Sequence, residues 1–124
     1  MLSGLRVLVV EDEPLIAIDL SAAVNESGAE VVGPCSSIAE ARQHTRDKRI
    51  DAAILDLNLQ DGDVTPVLEA LIATGVPVLI YTGGDLPHRL RERHPDLLVL
   101  HKPLQRGRLM LELKRVRHHA FHKT

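Results

Sequence analysis

The chain has 124 residues, 44% of them hydrophobic, and a formal net charge of −2. This length is typical of one domain with its own core, and the small net charge excludes a general attraction to nucleic acid or to an anionic membrane. Its single cysteine, Cys35, excludes an internal disulfide and a metal cluster built from cysteines. The first apolar run is too short for a signal or membrane segment, so we expect a cytoplasmic protein.

Five short apolar runs predict β-strands. They are rich in Val, Leu and Ile without regular polar alternation, which is typical of strands that are covered on both faces of a parallel sheet. In chain order they occupy 5–10, 30–33, 51–57, 76–82 and 96–101.

Segments with helical spacing of apolar residues separate the strands. Pro14 suits the first position of a helix, Ser37 with Glu40 has capping-box spacing, and Gly28 and Gly75 suit helix ends. The second and fourth helices, predicted over 37–48 and 85–94, have the weakest apolar pattern. The clearest apolar stripes are Ile16, Leu20, Ala23 and Val24, then Val67, Leu68, Leu71 and Ile72, then Leu109, Leu113, Val116 and Ala120.

Strand and helix alternate five times, which predicts an α/β fold with right-handed crossovers and helices on both faces of the sheet. In open sheets of this kind, ligands bind outside the carboxyl ends of the strands. The residues at those ends are therefore the candidates for chemistry.

Acidic residues follow the first and third strands. Glu11, Asp12 and Glu13 precede Pro14, where Asp12 or Glu13 could cap the next helix. Asp56 lies among apolar residues, where backbone amides could satisfy it or a charged partner could meet it. If the two strands are neighbours, the carboxylates converge and repel one another, so either some become protonated or a cation joins them. A hard divalent cation that takes oxygen ligands, best of all Mg²⁺, is the natural answer.

Two further strand ends carry groups that suit a phosphoryl ligand. The fourth strand ends in Thr82 before two glycines, and the fifth is followed by Lys102 before Pro103. Taken alone, Thr82 is better explained by a simple turn and Lys102 by a solvated lysine. Their coincidence with the acids favours a phosphoryl site.

The ordered set VLVVEDEP, ILDLNL, VLIYTGG and HKP resembles a response-regulator receiver domain, the phospho-acceptor module of two-component signalling. The resemblance covers essentially the whole chain. It implies a flavodoxin-like (βα)5 fold with strand order 2-1-3-4-5, and we expect a single receiver domain over 1–124 without an effector domain.

The resemblance also implies a metal site and an acceptor. Glu11, Asp12, Asp56 and the backbone carbonyl of Asn58 match the family's Mg²⁺ ligands, and Asp56 matches its phosphorylated residue. The phosphoryl group comes from a histidine kinase or a histidine phosphotransfer protein in that family.

Thr82 matches the family's switch hydroxyl, and Lys102 matches its lysine, whose bond to Pro103 is usually cis. Val99 stands where many receivers have an aromatic residue. We therefore expect a non-standard output mechanism, in which the usual coupling is absent or runs through Tyr81.

The last segment, 106–123, is basic and contains three of the seven histidines. A solvated helix face explains it best, followed by a protein-docking face and then by nonspecific nucleic-acid binding. His118, His119 and His122 are weak evidence for a metal site.

Three functions remain open. The first is a phospho-acceptor that signals to a downstream protein, as a monomer or weak homodimer, and is not an enzyme beyond its own phosphorylation and dephosphorylation. The second is a pseudo-receiver, a phosphorylation-independent protein-interaction module. The third is an aspartyl hydrolase, which generally has a second acid two residues after the nucleophile, where this chain has Asn58.

Overall fold

The computed structural model describes residues 2–47 and 49–122, and the side chains of 47 and 116–122 are not among those described. The side chains beyond Arg115 are therefore outside the described part of the chain. Those side chains include Val116 and Ala120, whose packing was predicted, and the basic residue Lys123. None of the helices in the described ranges combines the length and apolar character that a membrane span requires.

A five-stranded parallel sheet forms the centre of the fold. Its order is β2-β1-β3-β6-β7, which is the predicted 2-1-3-4-5 once a small separate hairpin is left out of the numbering. The sheet strands are β1 (Arg6–Val10), β2 (Glu30–Cys35), β3 (Ala52–Leu55), β6 (Val78–Thr82) and β7 (Leu98–His101), and the hairpin strands are β4 (Asn58–Leu59) and β5 (Gly62–Asp63).

In the described ranges, five helices alternate with the sheet strands, as predicted. The first begins at Pro14, and a glycine with positive φ follows the first and third helices, at Gly28 and Gly75. The helices are α1 (Pro14–Glu26), α2 (Ile38–Asp47), α3 (Thr65–Ala73), α4 (His88–Arg93) and α5 (Arg106–His122).

The core has two layers, one on each face of the sheet. Alternate residues of β1 enter different layers, with Leu8 in one and Val9 in the other. The first layer contains Leu68 of α3, and the second contains Leu20 of α1 and Leu113 of α5. Both faces are covered, which explains why the strands lack polar alternation.

The second strand is longer than predicted, because it continues through Gly33 and Pro34 to Cys35. Leu8 pairs with Val32 but Val10 pairs with Cys35, so β2 contains one extra residue at a bulge. Gly33 has φ +104°, and a Cβ there would lie 2.6 Å from the Cys35 nitrogen. The bulge places Cys35 at the end of the strand, facing the core.

The fourth helix is shorter than the predicted 85–94, with six residues that begin after Pro87. Leu90 is its buried residue, and Leu86 packs against the core before the helix begins. Most of its remaining residues are charged and exposed, so apolar burial stabilises little more than one turn.

Candidate functional site

Residues with polar or charged side chains lie at the carboxyl ends of four neighbouring strands. Glu11 follows β1, Asp56 follows β3, Thr82 ends β6 and Lys102 follows β7. Backbone hydrogen bonds hold the ends of these strands together. The Asp56 N–H donates to Val10 O at 2.9 Å, and the Lys102 N–H donates to Thr82 O at 2.9 Å. The predicted convergence of Glu11 and Asp56 is confirmed, and the Lys102 ammonium contacts both carboxylates.

Lys102 lies between two carboxylates. Its Nζ atom is 2.7 Å from Glu11 Oε1 and 3.3 Å from Asp56 Oδ2. The side chains of Lys102, Glu11 and Asp56 are 14%, 0% and 7% exposed, so water screens these charges little. The Lys102 ammonium, which follows β7, therefore forms ion pairs with the acids that follow β1 and β3.

Asp12 completes a cluster of three acids. One carboxylate oxygen from each of Glu11, Asp12 and Asp56 lies within 4.8 Å of the other two. The expected capping of α1 by Asp12 or Glu13 is wrong, since the N-cap residue Glu13 forms no side-chain cap. Instead Glu11 Oε2 accepts a 3.2 Å hydrogen bond from the Glu13 N–H, because the buried Glu11 turns back toward the start of the helix.

This donor set fits Mg²⁺. Glu11 Oε1 is buried and forms a 2.7 Å ion pair with Lys102. Within the described part of the chain, no donor reaches this oxygen with hydrogen-bond geometry. Three carboxylates with such an oxygen are the ligands that a hard divalent cation prefers. Asn58 is adjacent, and its N–H donates to Asp56 Oδ1 at 3.4 Å; the role of its carbonyl as a ligand stays a prediction.

Burial and pairing shift the acid–base properties of the pocket. Burial raises the pKa of Glu11 and the Asp56 charge adds to this, although the Lys102 ammonium and the Glu13 N–H oppose it. Burial would lower the pKa of Lys102, but the adjacent Glu11 and Asp56 carboxylates outweigh it and hold this pKa above its ordinary value. Lys102 therefore stays charged at neutral pH.

Thr82 is fully buried at the end of β6, and its Oγ1 accepts a 3.2 Å hydrogen bond from the Gly84 N–H. The hydroxyl thus lies beside a loop that contains two glycines, Gly83 and Gly84. A Cβ at Gly83 would meet no heavy atom within 4 Å among the described residues. The backbone at this strand end is open to a ligand.

Tyr81 connects this strand to the loop after β7. Its hydroxyl oxygen accepts a 2.8 Å hydrogen bond from the Leu104 N–H, and its ring centroid is 5.9 Å from Lys102 Nζ. The predicted cis bond between Lys102 and Pro103 lies within this loop. The sequence suggested Tyr81 from its position beside Thr82, but nothing in it pointed to the contact with Leu104.

Residues 7–114 match the family model described as the response regulator receiver domain. The chain belongs to the response regulator receiver family. Receiver domains are signalling modules of two-component systems and generally depend on Mg²⁺. The acidic cluster of this receiver agrees with that dependence.

Two curated regulators are related to this receiver over part of their length. It is 33% identical over 103 residues to the phyllosphere-induced regulator PhyR of Methylorubrum extorquens, a match that covers 81% of the chain and 39% of PhyR. It is 31% identical over 91 residues to the transcriptional regulatory protein PdtaR of Mycobacterium tuberculosis, covering 70% of the chain and 44% of PdtaR. The match therefore spans less than half the length of these relatives.

Solved structures resemble this receiver over almost their whole length. The solution structure of SdrG from Sphingomonas melonis Fr1 is 36% identical, covers 91% of this chain and 95% of its own, and has a TM-score of 0.77. A CheY-like receiver domain protein from Methanospirillum hungatei JF-1 has a TM-score of 0.86 at 19% identity, covering 98% and 100%. The second likeness concerns the fold alone.

Proposed function

We propose that Asp56 accepts a phosphoryl group from a phosphohistidine and that this modification changes a protein-binding surface. The main support is the position of Lys102, whose ammonium contacts both Glu11 and Asp56 at the edge of the sheet where Thr82 ends β6. The donor is a histidine kinase or a histidine phosphotransfer protein, and the recipient of the signal is a downstream protein.

The chain's own groups suit this transfer. A carboxylate oxygen of Asp56 attacks phosphorus, the new P–O bond forms as the P–N bond breaks, and the imidazole leaves with the electron pair. Phosphoryl transfer depends mainly on alignment and on neutralisation of the equatorial oxygens. Lys102 and the Thr82 hydroxyl neutralise and orient these oxygens, and Mg²⁺ held by Glu11, Asp12 and Asp56 supplies further positive charge when bound.

The surface that responds is, in this proposal, the side of the sheet formed by α4, β7 and α5. A groove of about 380 Å³ lies there, and the half-buried Val99 of β7 is part of its lining. The short α4 has few buried residues, which favours local rearrangement of this region.

The test is the intact mass of the protein after incubation with a small-molecule phosphodonor, with and without Mg²⁺. We expect one phosphoryl group on the wild type in the presence of Mg²⁺ and none on Asp56→Asn. Asp85→Asn, which changes an exposed acid in the loop after β6, is the matched control and gains the group normally.

Absence of an adduct at short incubation times, when hydrolysis has not yet removed it, contradicts the proposal. That result favours the pseudo-receiver, which binds partners regardless of phosphorylation. Continuous turnover of phosphate esters would instead favour the aspartyl hydrolase.

A further inference from the structure

A second group of potential metal ligands lies away from the acidic pocket. The Cys35 sulfur, a Glu40 carboxylate oxygen and a His44 ring nitrogen all lie within 4.8 Å of one another. Cys35 ends β2 and is fully buried, whereas Glu40 and His44 lie on α2 and are half-buried. We propose that these three side chains form a zinc site.

Local structure brings the three ligands together. Glu40 and His44 are four residues apart and therefore project from the same face of α2. The bulge at Gly33 and Pro34 shifts the register of β2 so that Cys35 pairs with Val10 and begins the turn into that helix. Two residues, Ser36 and Ser37, separate the strand from the helix, which keeps the thiol close to the first turn of α2.

The carboxylate is already oriented. Glu40 Oε1 accepts a 3.2 Å hydrogen bond from the Ser36 N–H and lies 3.5 Å from the Ser36 hydroxyl. A carboxylate has two oxygens, so these bonds leave an oxygen that can bind a metal. Outer contacts of this kind fix the direction of a ligand and raise metal affinity.

The donor types select zinc over magnesium. Zinc accepts thiolate, imidazole and carboxylate ligands, and three protein ligands with water in the fourth position are a common arrangement. Bond lengths of about 2.0–2.3 Å place tetrahedral ligand atoms about 3.3–3.7 Å apart, so ligand atoms that lie within 4.8 Å of one another need to approach by no more than about 1.5 Å. The Cys35 thiol releases its proton to solvent when the metal binds.

This site is separate from the acceptor, although the two are connected. The Glu11 N–H donates to the Cys35 carbonyl oxygen at 2.9 Å, so one backbone hydrogen bond joins the metal-binding strand end to the acidic pocket. The ligands themselves are different residues. Zinc binding can therefore be measured independently of phosphorylation.

The test uses Co²⁺ as a spectroscopic substitute for zinc, added to the whole chain in excess Mg²⁺. Cys35 is the only cysteine in the sequence, so a near-ultraviolet charge-transfer band from a cobalt–thiolate bond reports this site alone. We expect the band to saturate at one equivalent and to disappear when Zn²⁺ is added. Cobalt at the acidic pocket or at the terminal histidines does not give this band.

Two variants identify the other ligands. His44→Gln and Glu40→Gln keep the thiol and should each weaken Co²⁺ binding at least about tenfold, since even outer contacts of a metal ligand change affinity by that much. His88→Gln is the matched control, because His88 is exposed on α4 and its Nε2 atom lies 2.9 Å from Glu92 Oε1. It should bind Co²⁺ with wild-type affinity.

Absence of the band at millimolar Co²⁺ overturns the proposal, as does a band with the same affinity in His44→Gln and Glu40→Gln. The second result means that the buried thiol binds cobalt without the helix ligands. Cys35→Ser removes the band in either case, and circular dichroism of each variant checks that the fold is retained.

Discussion

Lys102 holds together two carboxylates that would otherwise repel each other in a pocket with little water. Replacement of Lys102 by Met leaves Glu11 and Asp56 buried without the ammonium, and we expect the free energy of unfolding to fall by about 3 kcal/mol at neutral pH. Urea unfolding measures this change. Lys114→Met, which removes an exposed ammonium from α5, should change the stability little.

The same variant tests whether Lys102 and Mg²⁺ compete for the same oxygens. If they do, Mg²⁺ should stabilise Lys102→Met more than the wild type, because binding to the folded state adds to its stability in proportion to the logarithm of affinity. An equal increase in both proteins would mean that Lys102 and Mg²⁺ do not compete.

Asp63 gives a test of acid–base behaviour outside the pocket of Glu11, Asp56 and Lys102. The Thr65 hydroxyl and N–H donate to Asp63 Oδ1 at 2.6 and 2.9 Å, which lowers the pKa of Asp63, with Arg89 contributing less. The folded pKa lies below the unfolded value of about 3.9, so these bonds stabilise the fold above that pH, and their contribution is lost as the pH falls through the folded pKa.

We therefore expect Thr65→Val to raise the pKa of Asp63 part of the way to its ordinary value, because the backbone N–H remains. Titration of the carboxyl ¹³C chemical shift measures this. Thr74→Val, at the other end of α3, is the control, and its titration should match the wild type. A pKa that is unchanged in Thr65→Val would show that the hydroxyl bond does not form in solution.

The candidate site residues at strand ends could be predicted because the neighbouring residues in the sequence make them stand out. Asp56 stands out as an acid in an apolar run, and the parallel sheet brings Glu11, Thr82 and Lys102 to the same edge. The family resemblance pointed to Glu11 and Asp12, but the residues alone do not say which acid turns inward, because Glu11, Asp12 and Glu13 have the same chemistry. The choice depends on the backbone direction at the end of β1.

At the scale of elements, the start of α2 depends on a residue that is distant in the chain. Ser37 Oγ accepts the Glu40 N–H at 3.1 Å, as the capping-box spacing predicts, but Glu40 accepts from Ser36 instead of Ser37. Asp61, in the turn of the β4–β5 hairpin, accepts the Ile38 N–H at 3.0 Å with both carboxylate oxygens.

We expect Asp61→Ala to lower the free energy of unfolding by about 1 kcal/mol, the usual cost of a lost helix cap. Asp61→Asn keeps an oxygen acceptor and should lose clearly less. Urea unfolding of both variants separates the hydrogen bond from other effects of the substitution. Equal losses in the two variants would indicate that the charge near the helix, and not the hydrogen bond, stabilises α2.

Element boundaries were harder to predict than element types. The hairpin of β4 and β5 has strands of two residues each, too short to show a pattern in the sequence. The continuation of β2 beyond residue 33 was missed because glycine and proline normally interrupt a strand. The bulge accommodates both residues, and this depends on pairing with β1, which is a tertiary interaction.

At the scale of the whole molecule, the two apolar layers determine which face of each helix is buried. Leu20 of α1 is 1% exposed and packs against the sheet, whereas Leu15 of the same helix is 82% exposed. We expect Leu20→Ala to lower the free energy of unfolding by about 2–5 kcal/mol and Leu15→Ala to change it by less than about 0.5 kcal/mol.

Thermal or urea unfolding of both alanine variants provides the comparison. Similar losses would mean that α1 is rotated relative to the sheet or that Leu15 is covered in solution. The overall topology could be predicted because five apolar strands alternating with helices are compatible with few arrangements. The grouping of Cys35 with Glu40 and His44 could not, since it depends on a bulge in β2 that the sequence did not reveal.

The hydrogen bond between Tyr81 and Leu104 gives this receiver a built-in optical probe. The chain has one tyrosine and no tryptophan, so its intrinsic fluorescence comes from a single phenol, located one residue before Thr82 and near the Lys102 ammonium. Rearrangement of the loop after β7 would change the surroundings of that phenol and therefore its emission. Changes around Lys102 can thus be followed in real time in the unlabelled protein.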